Sequence, residues 1–117
     1  MNTNDQPGHE LNILVAEKVF GYKVYRGVIG RNTERQDGKL IYLDDYSTTW
    51  EGMRLVVEEI ERRSFEWAIQ GKRATVWNDD EGIDEDVKGE SSPHALCLAI
   101  LAALGALEGQ RDETAAN

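Results

Sequence analysis

Cysteine is almost absent from this chain: Cys97 stands alone among 117 residues. A single thiol excludes an intramolecular disulfide framework and any zinc site built from several thiolates, and it fits a reducing compartment. Histidine is nearly as scarce, with only His9 and His94. No apolar run is long enough to span a bilayer, and the polar opening from Met1 to Glu10 lacks a secretory core. Positive charge is in short supply: 13 Lys and Arg stand against 22 Asp and Glu, leaving a net charge of −9. That balance disfavours direct nucleic-acid binding and attachment to an anionic membrane. The phosphate-binding glycine patterns are missing too. Gly27, Gly30 and Gly38 form neither G-x-G-x-x-G at a strand-to-helix turn nor G-x-x-x-x-G-K-[ST], and there is no G-x-S-x-G or H-E-x-x-H. Without paired acids in an apolar setting, no catalytic machinery is visible, so the chain reads as a non-enzyme with no cofactor and no metal site.

What is present suffices for one core: 40% of residues are hydrophobic and 30% charged, the balance of a single folded domain. The expected organisation is a flexible arm over residues 1–9, one domain over 10–107 and a flexible tail over 108–117. Leu11, Leu14, Val15 and Val19 recur at helical spacing, with Gly21 beyond them to close the helix in a left-handed cap. Tyr22 to Ile29 and Lys39 to Leu43 read as strands of a hairpin whose polar tip, Gly30 to Gly38, ends in Asp-Gly. A second helix is expected near Thr48, which stands in capping-box relation to Glu51, with Ser47 as the competing cap. Its buried face is expected to be Trp50, Met53, Val57 and Ile60. Phe65, Trp67 and Ile69 alternate with polar or small residues as a third strand, Gly71-Lys72 is the turn, and Ala74 to Trp77 returns as a fourth. Ser92-Pro93 is expected to open a third helix running to about Leu107. Helix, two strands, helix, two strands, helix gives an α/β (α+β) class: a three-layer α/β/α sandwich with an approximately four-stranded sheet and three helices.

Asn78 to Glu90 reads as a loop with seven acids against Lys88, a net charge of −6. An EF-hand does not fit. With Gly82 as sixth position, the first is Trp77 and the twelfth Lys88, where oxygen ligands are required. The remaining readings are a solvated loop, a non-standard weak cation site, or a surface that engages a basic protein face. Cys97, inside Ala95-Leu96-Cys97-Leu98, reads as core, as do Trp67 and Trp77 on their strands. Two helix starts collect polar groups: Tyr46, Ser47, Thr48 and Trp50 at one, Ser92 and His94 at the other. Meeting at one sheet edge, they form an anion or nucleotide pocket, with Arg26, Arg31 or Lys18 supplying charge; the competing reading is ordinary capping. From Ala95 to Leu107 every residue but Gly105 is apolar. Leu98 and Leu101 therefore lie on a face opposite Leu96, Ile100, Leu104 and Leu107, which predicts a homo-oligomer with packing against the first helix as the competitor.

Leu14-Val15-Ala16-Glu17-Lys18-Val19-Phe20-Gly21-Tyr22-Lys23-Val24 near the start, Tyr46-Ser47-Thr48 before the second helix, and Pro93-His94-Ala95-Leu96-Cys97-Leu98-Ala99-Ile100-Leu101-Ala102-Ala103-Leu104-Gly105 near the end together resemble the phage ABA sandwich domain, a family of small proteins encoded by bacteriophages and prophages. The resemblance extends from Leu11 to Ala106 and implies an α/β/α fold, with no catalytic residues to carry over. It further implies an accessory protein in the host cytoplasm. The first expectation is a counter-defence protein that sequesters a nucleotide-like signalling molecule. The alternatives are an acidic inhibitor of a host enzyme and a structural or assembly protein.

Overall fold

The structure is a computed structural model that describes residues 6–26, 31–34 and 40–116. Residues 1–5 of the expected arm, Asn117 of the expected tail and most of the Gly30 to Gly38 tip lie outside the described residues. Helix α1 (His9–Lys18) leads into strands β1 (Lys23–Arg26), β2 (Arg31–Glu34) and β3 (Leu40–Tyr42). Helix α2 (Trp50–Arg62) follows, then β4 (Glu66–Gln70), β5 (Arg73–Asn78), a single 3-10 turn (Asp79–Glu81), β6 (Ile83–Lys88) and helix α3 (Ser92–Ala116). The class is the one the sequence predicts, an α+β fold of three helices with antiparallel strands. The strands form two three-stranded sheets, β1-β2-β3 and β4-β5-β6, where one sheet of about four strands was expected. The additions are β2 and β6.

β6 replaces the expected acidic loop. Asn78 pairs with Ile83 and Arg73 with Lys88, so the strand runs in full register along β5. Its side chains alternate: Ile83, Glu85 and Val87 turn inward, while Asp84, Asp86 and Lys88 are exposed. The acids hide this period because Asp disfavours strands in general, yet on an exposed face of an edge strand it carries little penalty. The connection is tight. The Asn78 side chain accepts from the Glu81 N–H, and Gly82 closes the turn at φ 69, where a Cβ is disfavoured.

The core lies where α3 packs on β5 and β6, with α1 and α2 against its other flanks. Ala95, Leu96, Cys97, Ala99, Ile100 and Ala103 of α3 are buried, against Ala74 and Val76 of β5 and Ile83 of β6. A helix contacted on several sides has no use for a polar face, which accounts for its unbroken apolar stretch. α3 continues to Ala116, past the expected end at Leu107. The added segment is rich in Glu, Gln, Arg and Ala, which sustain a helix without an apolar stripe.

α1 buries Leu11, Ile13, Val15 and Ala16. His9, expected in the arm, is its first residue. Gly21 adopts φ 71 after the helix, as its position predicts, and the Tyr22 N–H reaches back to the Ala16 carbonyl at 2.9 Å. α2 buries Met53, Val56 and Ile60, with Val57 only half-buried. Trp50, assigned to the core stripe by spacing, is instead 63% exposed, because it occupies the first helical position, ahead of the turn that meets the core. α2 approaches the preceding turn so closely that a Cβ on Gly52 would lie 2.2 Å from the Asp45 carbonyl oxygen. At the other end of α2, the Arg63 guanidinium donates to the Val19 carbonyl and to Glu59, joining the C-terminal ends of two helices.

Candidate functional site

The start of α2 contains four of the residues expected at a site. Thr49, not Thr48 or Ser47, is its N-cap: the Thr49 Oγ1 accepts from the Gly52 N–H at 3.0 Å and donates to the Asp45 carbonyl at 3.0 Å. Thr48 is exposed. Ser47 is fully buried; its N–H donates to Asn12 Oδ1 at 2.9 Å, and its Oγ donates to the same oxygen at 2.7 Å. The Gly8 N–H donates to Ser47 Oγ at 2.9 Å, so the segment leading into α1 is fastened to the segment leading into α2. Tyr46 is buried, its ring stacked on Phe20 at 5.0 Å, and Phe20 stacks on Tyr22 at 5.3 Å. Burial, then the charge of Asp44, holds the Tyr46 hydroxyl well above its ordinary range. Burial likewise raises the Asp44 carboxyl, with Asp45 adding to the effect.

The start of α3 is held equally firmly. Ser91, not Ser92, caps it by accepting from the His94 N–H at 3.3 Å. Ser92 Oγ donates to the Gly71 carbonyl in the β4–β5 turn. His94 is buried, and its Nδ1 accepts from the Glu90 N–H at 2.9 Å, which places the ring proton on Nε2. Gly89 permits this arrangement, since a Cβ there would lie 2.7 Å from the Ala95 nitrogen and 2.9 Å from His94 Nδ1. No described hydrogen bond or ring contact joins this group to Thr48 or Trp50. Tyr46 lies close enough to α3 for Cys97 to act on it electrostatically. Cys97 is buried, and burial pushes its thiol up to about 12, so it is not an activated nucleophile. Arg26 closes the β1–β2 ladder opposite Arg31.

Leu98 and Leu101, expected at a subunit interface, are both half-buried against the core. Leu101 lines a groove of about 190 Å³ with Leu104 and Gly105 of its own helix and Leu14 and Lys18 of α1.

Two surfaces have a charge pattern of their own. Asp79, Asp80, Glu81, Asp84 and Asp86 are exposed along the 3-10 turn and β6, with Arg73 standing 3.5 Å from Asp86. Among the described residues no three acids converge on a metal-sized point, because the strand sends alternate acids to opposite faces. The second surface is an open groove of about 340 Å³ lined by Glu61, Phe65, Glu66, Trp67 and Trp77. The Trp67 Nε1–H donates to Glu61 Oε2 at 3.3 Å. Both tryptophans are half-buried where the strand pattern predicts core. Trp77 pairs with exposed Glu66 and Asp84 on the outer face of the sheet, and Trp67, on the inner face beside Val76, lies on the edge strand β4. The acidic Glu61 and Glu66 flanking Phe65 and Trp67 are the sequence signal for it. Among the described residues no helix is long and apolar enough to cross a membrane.

No family model and no curated protein matches the chain. Among solved structures, the crystal structure of a phage protein from Bacillus cereus is similar, with a TM-score of 0.67 at 24% identity over 82% of this chain and 85% of that one. The two proteins share a fold.

Proposed function

We propose that this chain is a phage or prophage accessory protein of the ABA sandwich kind that acts by non-covalent binding rather than catalysis, and that its binding surface is the acidic turn and strand Asp79 to Asp86. The fold shared with a phage protein and the three segments that resemble the family support the first part. The observation that carries the second is order: the densest acidic segment of the chain is a registered β-strand with a capped turn, which presents its carboxylates at fixed spacing. A fixed array of negative charge recognises a basic protein face and steers it on approach. A host enzyme that normally engages a polyanion has such a face.

The test is direct. A partner captured by crosslinking in the host is purified and titrated against the protein at several salt concentrations. Affinity falls with salt, and changing Asp79, Asp80, Glu81, Asp84 and Asp86 to Asn or Gln removes binding while the unfolding midpoint stays in place. A neutralised variant that binds with undiminished affinity refutes the reading.

A second reading, sequestration of a nucleotide-like signal in counter-defence, draws on the open part of the α2 start. Trp50 is 63% exposed and Thr48 is exposed beside the N-terminus of α2, a stacking ring next to an anion-favouring end. On that reading a nucleotide at one hundred times its dissociation constant raises the unfolding free energy by about 2.7 kcal/mol. No shift across cyclic and linear nucleotides removes it.

A further inference from the structure

Among the described residues the β4-β5-β6 sheet has two edges without a neighbouring strand, and they are chemically unlike. β6 carries Asp84, Glu85 and Asp86 in succession, so a like strand laid against it would set acid against acid. β4 has one charge, Glu66, followed by Trp67, Ala68, Ile69 and Gln70. Its turn to β5 is two residues long with Gly71 at φ 60 in the first place, the arrangement in which the closing pair, here Gln70 and Arg73, is hydrogen-bonded. Ladder alternation then directs the backbone groups of Gln70, Ala68 and Glu66 toward β5 and those of Trp67 and Ile69 outward. Trp67 and Ile69 also carry the half-buried apolar side chains of this edge.

The two ends of β4 are complementary in charge. Beside its first residues lies the groove of Glu61, Glu66, Trp67 and Trp77, in which carboxylates stand next to indole rings. Beyond its last residue the turn exposes Lys72 and Arg73. Antiparallel pairing of β4 with β4 of a second copy, centred on Ala68, sets Trp67 against Ile69 and Glu66 against Gln70. The same register brings each Gly71-Lys72 turn opposite Ser64 and Phe65 of the other copy, at the groove. A cation over an indole face with carboxylates nearby is a favourable pairing.

From this self-complementarity we infer that the chain forms a two-fold dimer through its β4 edges, building a continuous six-stranded sheet in which the cationic turn of each copy docks at the acidic tryptophan groove of the other. The small Ala68 lies on the axis and permits close approach. The like-charged Glu66 residues are held at opposite ends of the pairing.

Ala68→Cys tests the register. In the dimer Ala68 faces its own copy as a non-hydrogen-bonded pair, with Cα atoms about 4.5 Å apart and within disulfide reach. Glu66→Cys places the two thiols about 13 Å apart along the strand, at roughly 3.4 Å per residue. Buried Cys97 does not compete. Under mild oxidation Ala68→Cys closes to a covalent dimer many-fold faster than Glu66→Cys, both variants retaining the unfolding midpoint of the original chain. Light scattering on the unaltered protein reports twice 13.2 kDa, and Lys72→Glu weakens the dimer several-fold. A 13.2 kDa particle at millimolar concentration overturns the inference. So do equal crosslinking rates, or a dimer that Leu98→Glu with Leu101→Glu dissociates while Lys72→Glu leaves it intact.

Discussion

Replacing Gly52 with alanine sets two physical effects against each other. Helix propensity favours the change, because Gly in a helix interior costs about 0.8–1.0 kcal/mol relative to Ala. Packing opposes it. The new Cβ would stand 2.2 Å from the Asp45 carbonyl oxygen, 2.5 Å from its carbonyl carbon and 2.8 Å from the Tyr46 Cα. All three are backbone atoms, so no rotamer change relieves the clash. Nor can that carbonyl readily withdraw, since it accepts from the N–H of Thr48 and of Thr49 and from the Thr49 hydroxyl. Overpacking of this kind costs about 1–3 kcal/mol, and each of those hydrogen bonds contributes about 1 kcal/mol if it is lost. With one of those hydrogen bonds lost, the cost exceeds the propensity gain and the net destabilisation is about 1–3 kcal/mol, with a fall in Tm of roughly 4 °C per kcal/mol for a chain this size. Gly105 supplies the control: it too is helical, but a Cβ there meets nothing within 4 Å. Gly105→Ala is therefore neutral or stabilising by up to about 1 kcal/mol. Urea unfolding of both variants reads the signs. A Gly52→Ala protein as stable as the original would refute the close approach of α2 to the Asp45 turn.

Thr49→Ala loses the α2 cap and costs about 1 kcal/mol, whereas Thr48→Ala, at an exposed position that makes no cap, stays within about 0.5 kcal/mol; equal losses in chemical denaturation would contradict the assignment. Cys97 resists thiol-specific reagents at pH 8 until the protein is unfolded, because burial holds it protonated; rapid labelling of native protein would show the site to be open. Burial raises the Glu59 carboxyl, but hydrogen bonds and charge from Arg62 and Arg63 outweigh it and leave the group below its usual 4.5. A lowered folded value means that its contribution is present above the ordinary glutamate range and is lost as pH falls through the folded value. The stability advantage over Glu59→Gln therefore shrinks in acid titration below about pH 4, and an advantage that grows there contradicts the ion pairs.

The elements that could be read from the sequence are those whose local pattern and tertiary environment agree. The β4–β5 hairpin is one: alternation in Phe65-Trp67-Ile69 and Gly71 at the turn both survive folding. Where several residues offer the same chemistry, the choice among them is tertiary. Ser47, Thr48 and Thr49 can each cap a helix, and Thr49 does so because Ser47 is drawn to Asn12, 35 residues away in sequence. β6 was obscured by its acids, whose cost to a strand depends on which side faces water. The candidate site was legible as residue types and not as roles. Sequence shows that Ser92 and His94 stand at a helix start, but their engagement with Gly71 and Glu90 depends on how the β4–β5 turn and the end of β6 meet α3.

The clasp between Gly8, Asn12 and Ser47, together with the stacking of Phe20 on Tyr46, fixes both ends of the segment 21–45. Among the described residues of that segment, strands β1, β2 and β3 make a detour between two anchored points. Lengthening such a detour costs little, since doubling a flexible loop adds only about 0.6 kcal/mol of closure entropy. Residues engineered into this chain between β1 and β3 are thus expected to leave the ring stack and the clasp, and with them α1 and α2, in place. Diversification by insertion can proceed there without any compensating change in the β4-β5-β6 half of the molecule.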